Sequence, residues 1–264
     1  MGHDINKLKS QLIPLYTALR NDCNAKDTLS PFIMQWGDKF PVNKNDGIIF
    51  YGRATNGWYG TWDFDVLFND NDENRGWARS NQMIWVENQW TESDNGYIAS
   101  ESQFWNIVKG VSVRFYGKEW FKFVAWSNIC KVAPESNGNP SDSLFYKTLG
   151  NNINVFRTEL DFWSPKYIIL LTDGMKKDKE TIIDWTSDYI SCLNNDVLPP
   201  ILYEKAWDDE YPNFKIRVYK IGDRYIILSI HPQGRKVELH KDAIIGIIEK
   251  IEPKLSLIHI SEPT

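Results

Sequence analysis

Four short runs of β-forming residues, each apolar almost without a break, constrain this chain most: Gly47–Gly52 (GIIFYG), Phe121–Cys130 (FKFVAWSNIC), Tyr167–Leu171 followed by TDG, and Tyr225–Ile230 (YIILSI) followed by His-Pro. A half-solvated strand alternates apolar with polar residues, whereas a strand covered on both faces of a parallel sheet reads as a continuous run. Helical spacing lies between the runs. Ile5–Arg20 has apolar residues at 5, 8, 12, 15, 16 and 19, and Glu101–Tyr116, Ser141–Phe162, Lys176–Leu193 and Leu239–Glu249 can also carry helices. Strand–helix alternation with right-handed crossovers predicts the α/β class: a three-layer α/β/α sandwich around a mainly parallel four-stranded central sheet. Phe214–Ile221 (FKIRVYKI) does alternate, and Gly222-Asp223 turns it into the last run, so an antiparallel edge strand is expected there.

The apolar fraction of 42% and charged fraction of 25% are those of a globular domain, which excludes wholesale disorder and fibrous repeats. No internal repeat and no Pro-, Gly- or Ser-rich linker divides the chain, so one α/β domain is expected over residues 1–254. Within it, residues 58–100, rich in Asn, Asp, Trp and Gly, read as an irregular insert of the kind that carries function. The last ten residues, LSLIHISEPT, match the conceptual translation of a transposase sequencing adapter, and 255–264 are read as foreign to the fold.

A formal charge of −5 argues against a protein that coats nucleic acid non-specifically. The charge is unevenly spread: Phe214–Lys241 holds seven Lys and Arg against two acids, a local +5, so one face can be basic. Cys23, Cys130 and Cys192 contain no C-x-x-C pair, which leaves no disulfide framework and no four-thiolate metal site and fits a reducing compartment. The longest apolar runs fall far short of the ~20 residues that span a bilayer. The first residues, MGHDINKLKSQLIPLY, lack the apolar stretch of a signal peptide. A soluble, cytoplasmic monomer without membrane association is expected.

In open parallel sheets ligands bind at the carboxyl ends of the strands. After the first run comes Gly52-Arg53-Ala54-Thr55-Asn56-Gly57-Trp58; after the second, Ser127-Asn128-Ile129-Cys130-Lys131 and then Pro134; after the fourth, His231-Pro232-Gln233-Gly234-Arg235. Singly these are weak signals. A glycine turn is usually a tight connection, an Asn at a strand end can cap a following helix, and His-Pro can be a plain turn. The first loop has neither the G-x-G-x-x-G spacing of a dinucleotide site nor the GK[ST] of a P-loop.

In this order, the three segments resemble the uracil-DNA glycosylase superfamily. WSNICKVAP is similar to that superfamily's base-recognition segment, and ILSIHPQGR to its HPS loop. The resemblance implies a DNA glycosylase that flips a damaged or modified base and hydrolyses its N-glycosidic bond with water, leaving an abasic site, with no metal or other cofactor and DNA as partner. His231 would then stabilise the departing base, because the largest assistance comes from a preorganised donor where negative charge develops. Asn128 would read the extruded base with its amide, and Trp58, Trp62 or Phe64 would supply the plane on which the base stacks. Gly52, Arg53 and Thr55 would line the first loop, and Arg53, Lys131, Arg235 and Lys236 would meet flanking phosphates.

The chain departs from the superfamily in its first motif, where an acidic or amide side chain holds the water. Arg53, Ala54 and Thr55 occupy those places, which leaves the water to Asn56, or to Asp63 or Asp65 in GTWDFD. Gln233 replaces the usual serine after His-Pro, and the absence of paired cysteines excludes the iron–sulfur branch. The alternative is a non-catalytic module that binds a nucleotide or DNA on the same fold.

Overall fold

All four apolar runs form strands in the computed structural model, which describes residues 4–23, 29–41, 46–56, 60–68, 83–92, 96–135, 138–173, 175–176, 182–183, 186–207 and 214–251. In chain order the strands are β1 (Leu29–Pro31), β2 (Gln35–Trp36), β3 (Ile48–Gly52), β4 (Val124–Asn128), β5 (Val132–Pro134), β6 (Tyr167–Asp173), β7 (Met175–Lys176), β8 (Ile182–Ile183), β9 (Ile201–Ala206), β10 (Lys215–Ile221) and β11 (Arg224–Ile230). The helices are α1 (Ile5–Asp22), α2 (Phe64–Leu67), α3 (Ile84–Asn88), α4 (Gln103–Tyr116), α5 (Asp142–Trp163), α6 (Ser187–Ser191) and α7 (Val237–Ile251). Short 3-10 turns cover Ala99–Glu101 and Gly117–Lys122.

The central sheet is mixed and runs β2-β4-β3-β6-β11-β10-β9. Its middle is parallel: β3 pairs with β4 and with β6, and β6 with β11. The sequence places these four strands correctly but undercounts the sheet, which has seven strands among the described residues. β10 pairs antiparallel with β11 across a turn in which Gly222 takes a φ of +58°, yet it is not the edge, because β9 pairs outside it. All six residues of β9 are exposed, so its sequence carries no burial period to read. At the opposite edge β2 is only two residues long. The helix expected over Lys176–Leu193 is also corrected: β7 and β8 pair antiparallel there, and among the described residues of that span only Ser187–Ser191 is helical.

Why the apolar runs are continuous is visible in the core. Ile49, Tyr51, Ala125, Ile168, Leu170, Ile226 and Leu228 join one cluster with α1, α5 and α6, while Ile48, Phe50, Val124, Trp126, Ile169, Leu171 and Ile227 join another with α4 and α7. Successive strand residues point to opposite faces, and each face is covered by helix. Truncating a fully buried member such as Ile168 to Ala should cost about 2–5 kcal/mol. α1 begins at Asp4, whose carboxylate accepts from the N–H groups of Asn6 and Lys7, and it buries Leu8, Leu12, Tyr16 and Leu19 at helical spacing. α5 starts at the cap Ser141 and stops at Ser164, which adopts a left-handed conformation with φ 46°. The described parts of the 58–100 insert contain α2, α3 and the first two residues of the Ala99–Glu101 turn; Trp58 and the 255–264 tail lie outside the described residues.

Candidate functional site

The four parallel strands share one direction, so Gly52, Asn128, Asp173 and Ile230 end together along one edge of the sheet. Gly52 and Asn128 are register partners and therefore share a face. Phe50 and Trp126, two residues earlier, belong to the α4 and α7 cluster, which identifies that face. A Cβ at position 52 would lie 2.6 Å from Asn128 Oδ1 and 3.4 Å from Phe104 Cε2, so glycine is required for the amide and the ring to meet there. Asn128 is 1% exposed, and its Nδ2 is buried without a hydrogen-bond partner. A buried donor left unsatisfied costs about 1–3 kcal/mol, and Asn128 Nδ2 shares that state with Ser112 Oγ and His240 Nε2. No helix follows it, since the chain passes through Ile129 and Cys130 into β5, and a capping role is thereby corrected.

Two further groups converge on the end of β6. Arg53, 4% exposed, donates through Nε to the Thr172 carbonyl and through Nη2 to the Asp173 carbonyl, both at 3.1 Å. Burial pushes its guanidinium down to about 10 against the opposing Asp173 carboxylate, so it remains a cation at neutral pH. The N–H of His231 donates to the same Asp173 carbonyl at 2.8 Å. A register shift between Ser229 and Ile230 re-aims the chain just before this point. His231 Nδ1 accepts from the Gln233 N–H at 3.4 Å, which leaves the ring proton on Nε2. Burial, the Arg53 guanidinium and then His240 push the imidazole down to about 3. At neutral pH His231 is an uncharged donor beside a fixed positive charge.

The loop after His231 is held from α4. Gln103 Nε2 donates to the Arg235 carbonyl at 2.8 Å, and its Oε1 accepts from the Gly234 N–H at 2.7 Å. Arg235 and Lys236 are exposed beyond it. Phe104, next in the chain, is half-buried and packs edge-on against Trp105 and tilted against Trp126.

Other expected site residues lie elsewhere. Lys131 does not face phosphate: it is fully buried, with Nζ bonded to Ser127 Oγ at 2.5 Å and to both Glu159 carboxylate oxygens at 2.8 Å. Asp63 caps α2 through the N–H groups of Asp65 and Val66, and Asp65 is exposed in the first turn of that helix. Trp62 Nε1 donates to the Leu29 carbonyl, and Trp62 and Phe64 pack on the α1 and α5 cluster, away from the face of Asn128. Asn56 is exposed, with Oδ1 accepting from the Gly138 N–H at 2.7 Å, while Thr55 is 5% exposed in the same loop. Cys130, whose N–H donates to the Arg53 carbonyl, has its thiol pushed up to about 12 by burial and is inert as a nucleophile.

Sequence reasoning missed Gln103, Phe104 and Asp173. Only Asp173 carried a signal, as the acid of the TDG that follows the third run. Among the described residues no three His, Cys, Asp or Glu side chains stand together to hold a metal ion, and no helix is long and apolar enough to cross a membrane. Neither a scan of the chain against protein-family models nor a search of curated proteins finds a match.

Proposed function

We propose that this chain is a monofunctional DNA glycosylase that extrudes a damaged or modified base and hydrolyses its N-glycosidic bond with water, working as a cytoplasmic monomer on a three-layer α/β/α scaffold. The observation that carries the reading is the Nδ2 of Asn128, buried and unpartnered beside Gly52 at the carboxyl ends of parallel strands. An amide in that state is stabilised by a ligand acceptor, and the Watson–Crick edge of a flipped base offers one. His231 supports the chemistry. As the C1′–N bond breaks, its electron pair moves onto the base, and a neutral Nε2–H backed by Arg53 meets the developing negative charge at low reorganisation cost. Water adds its oxygen to C1′, and the proton it gives up passes through solvent to the departing base, completing the abasic sugar and a neutral free base. Lys131 favours water over a covalent lysine route, because its amine is tied to Ser127 and Glu159 in the core.

A second reading, a non-catalytic nucleotide- or DNA-binding module, is favoured by one observation: Asp63 Oδ1 caps a helix and Asn56 Oδ1 accepts from the Gly138 N–H, so both of these oxygens serve the fold. Incubation with single- and double-stranded DNA carrying a panel of deaminated and enlarged bases, followed by alkaline cleavage, separates the two. Strand breaks at one modified base support the glycosylase; tight binding of that base without breaks supports the module.

A further inference from the structure

We infer that Gln103 is a positioning residue for His231, acting from the same helical turn that sets Phe104 against the base-reading amide; the inference rests on the glycosylase reading. The His231 ring is oriented by a short chain of backbone groups. Nδ1 accepts from the Gln233 N–H, and Gly234, the next residue, takes a φ of +71° and donates its own N–H to Gln103 Oε1 at 2.7 Å. The amide of Gln103 then closes on the Arg235 carbonyl at 2.8 Å. Gln233, Gly234 and Arg235 are exposed, so packing contributes little to holding this half of the loop.

Gln103 is matched to this task because it needs both an acceptor and a donor on one planar group, which at neutral pH only an amide supplies at this length. Phe104 follows it in the same turn and lies against the point where Gly52 and the buried Asn128 amide meet. Consecutive residues of α4 thus fix the leaving-group histidine and the base-reading wall in register. Misplacing a catalytic group by about 1 Å can cost ~10²-fold in rate.

The test is single-turnover excision by Gln103→Ala and Gln103→Glu, with amide hydrogen exchange over residues 231–236. Gln103→Ala should slow excision by roughly 10–100-fold, leave affinity for abasic DNA within about twofold, and speed exchange in the loop alone. Gln103→Glu keeps the acceptor for Gly234 but turns a carboxylate toward the Arg235 carbonyl. Its rate relative to wild type should climb as pH falls toward about 4.3, where a carboxyl regains a donor proton; a merely structural residue shows no such recovery. Unchanged exchange and excision in Gln103→Ala would overturn the inference. Should wild type release no base, the glycosylase reading fails, and the exchange measurement alone decides whether Gln103 holds the loop.

Discussion

Ser127 and Asn128 are neighbours in β4 and point to opposite faces of the sheet, and their surroundings differ in kind. On the α5 side, Ser127 Oγ donates to Glu159 Oε2 at 3.0 Å and accepts from Lys131 Nζ, and Tyr51 OH donates to the same carboxylate at 2.9 Å. Lys131 adds two bonds to Glu159, and its own N–H donates to Asn152 Oδ1 at 2.9 Å. Every member is buried and every member is partnered. Burial pulls the Lys131 ammonium below its ordinary range, and the Glu159 charge opposes that pull. On the α4 side, Asn128 is equally buried and its Nδ2 has nothing. A complete buried network belongs to the fold, whereas an incomplete one at strand ends points to a ligand.

The comparison is broken most forcefully at Glu159. Glu159→Gln leaves a lysine charge buried without its counter-charge and should destabilise by about 3–5 kcal/mol, read from urea midpoints. Lys131→Met combined with Glu159→Leu removes the unpaired charge and should recover only part of that loss, because Tyr51 OH and Ser127 Oγ then lose their buried acceptor. On the other side, His231→Ala should lower single-turnover excision by ~10²–10³ while affinity for abasic DNA changes little. Equal losses in binding and excision would make the imidazole a ground-state contact instead.

The histidines also set a pH dependence. With folded values of about 3 for His231 and about 4 for His240, the unfolded chain takes up protons below about 6.5 while the folded chain does not. Stability therefore falls as pH drops from 6.5, and the loss levels off only near 4 for His240 and near 3 for His231. His240→Phe should flatten the decline in thermal midpoint between pH 7 and 5; an unchanged slope would place the titration elsewhere. The smallest effect is expected at the exposed Arg235, where Ala should reduce the salt dependence of DNA binding by about one counterion.

Much of this contrast is legible in the amino-acid sequence, for identifiable reasons. Strands covered on both faces leave an unbroken apolar run, so β3, β4, β6 and β11, and with them Gly52, Asn128 and His231 at their ends, could be read directly. Amphipathic spacing located α1, α4, α5 and α7 to within a few residues. What failed has no local signature. β9 is exposed throughout, so no period marks it. Lys131 reads as a surface cation because its partner Glu159 lies 28 residues away, and Asp63 reads as a site acid although its partners are backbone N–H groups of the next turn. Gln103 and Phe104 meet the strand ends only through tertiary packing of α4.

The central claim, that the unpartnered Asn128 amide reads a base, is tested most directly by base release from Asn128→Ala set beside its urea stability. Removing an amide that satisfies nothing in the fold should leave stability within about 1 kcal/mol of wild type or raise it, while excision of the preferred base falls by at least ~10²-fold, as expected where a site loses the group built to bond its substrate. Undiminished excision by a folded variant, or a loss of stability as large as that of Glu159→Gln, would contradict the account.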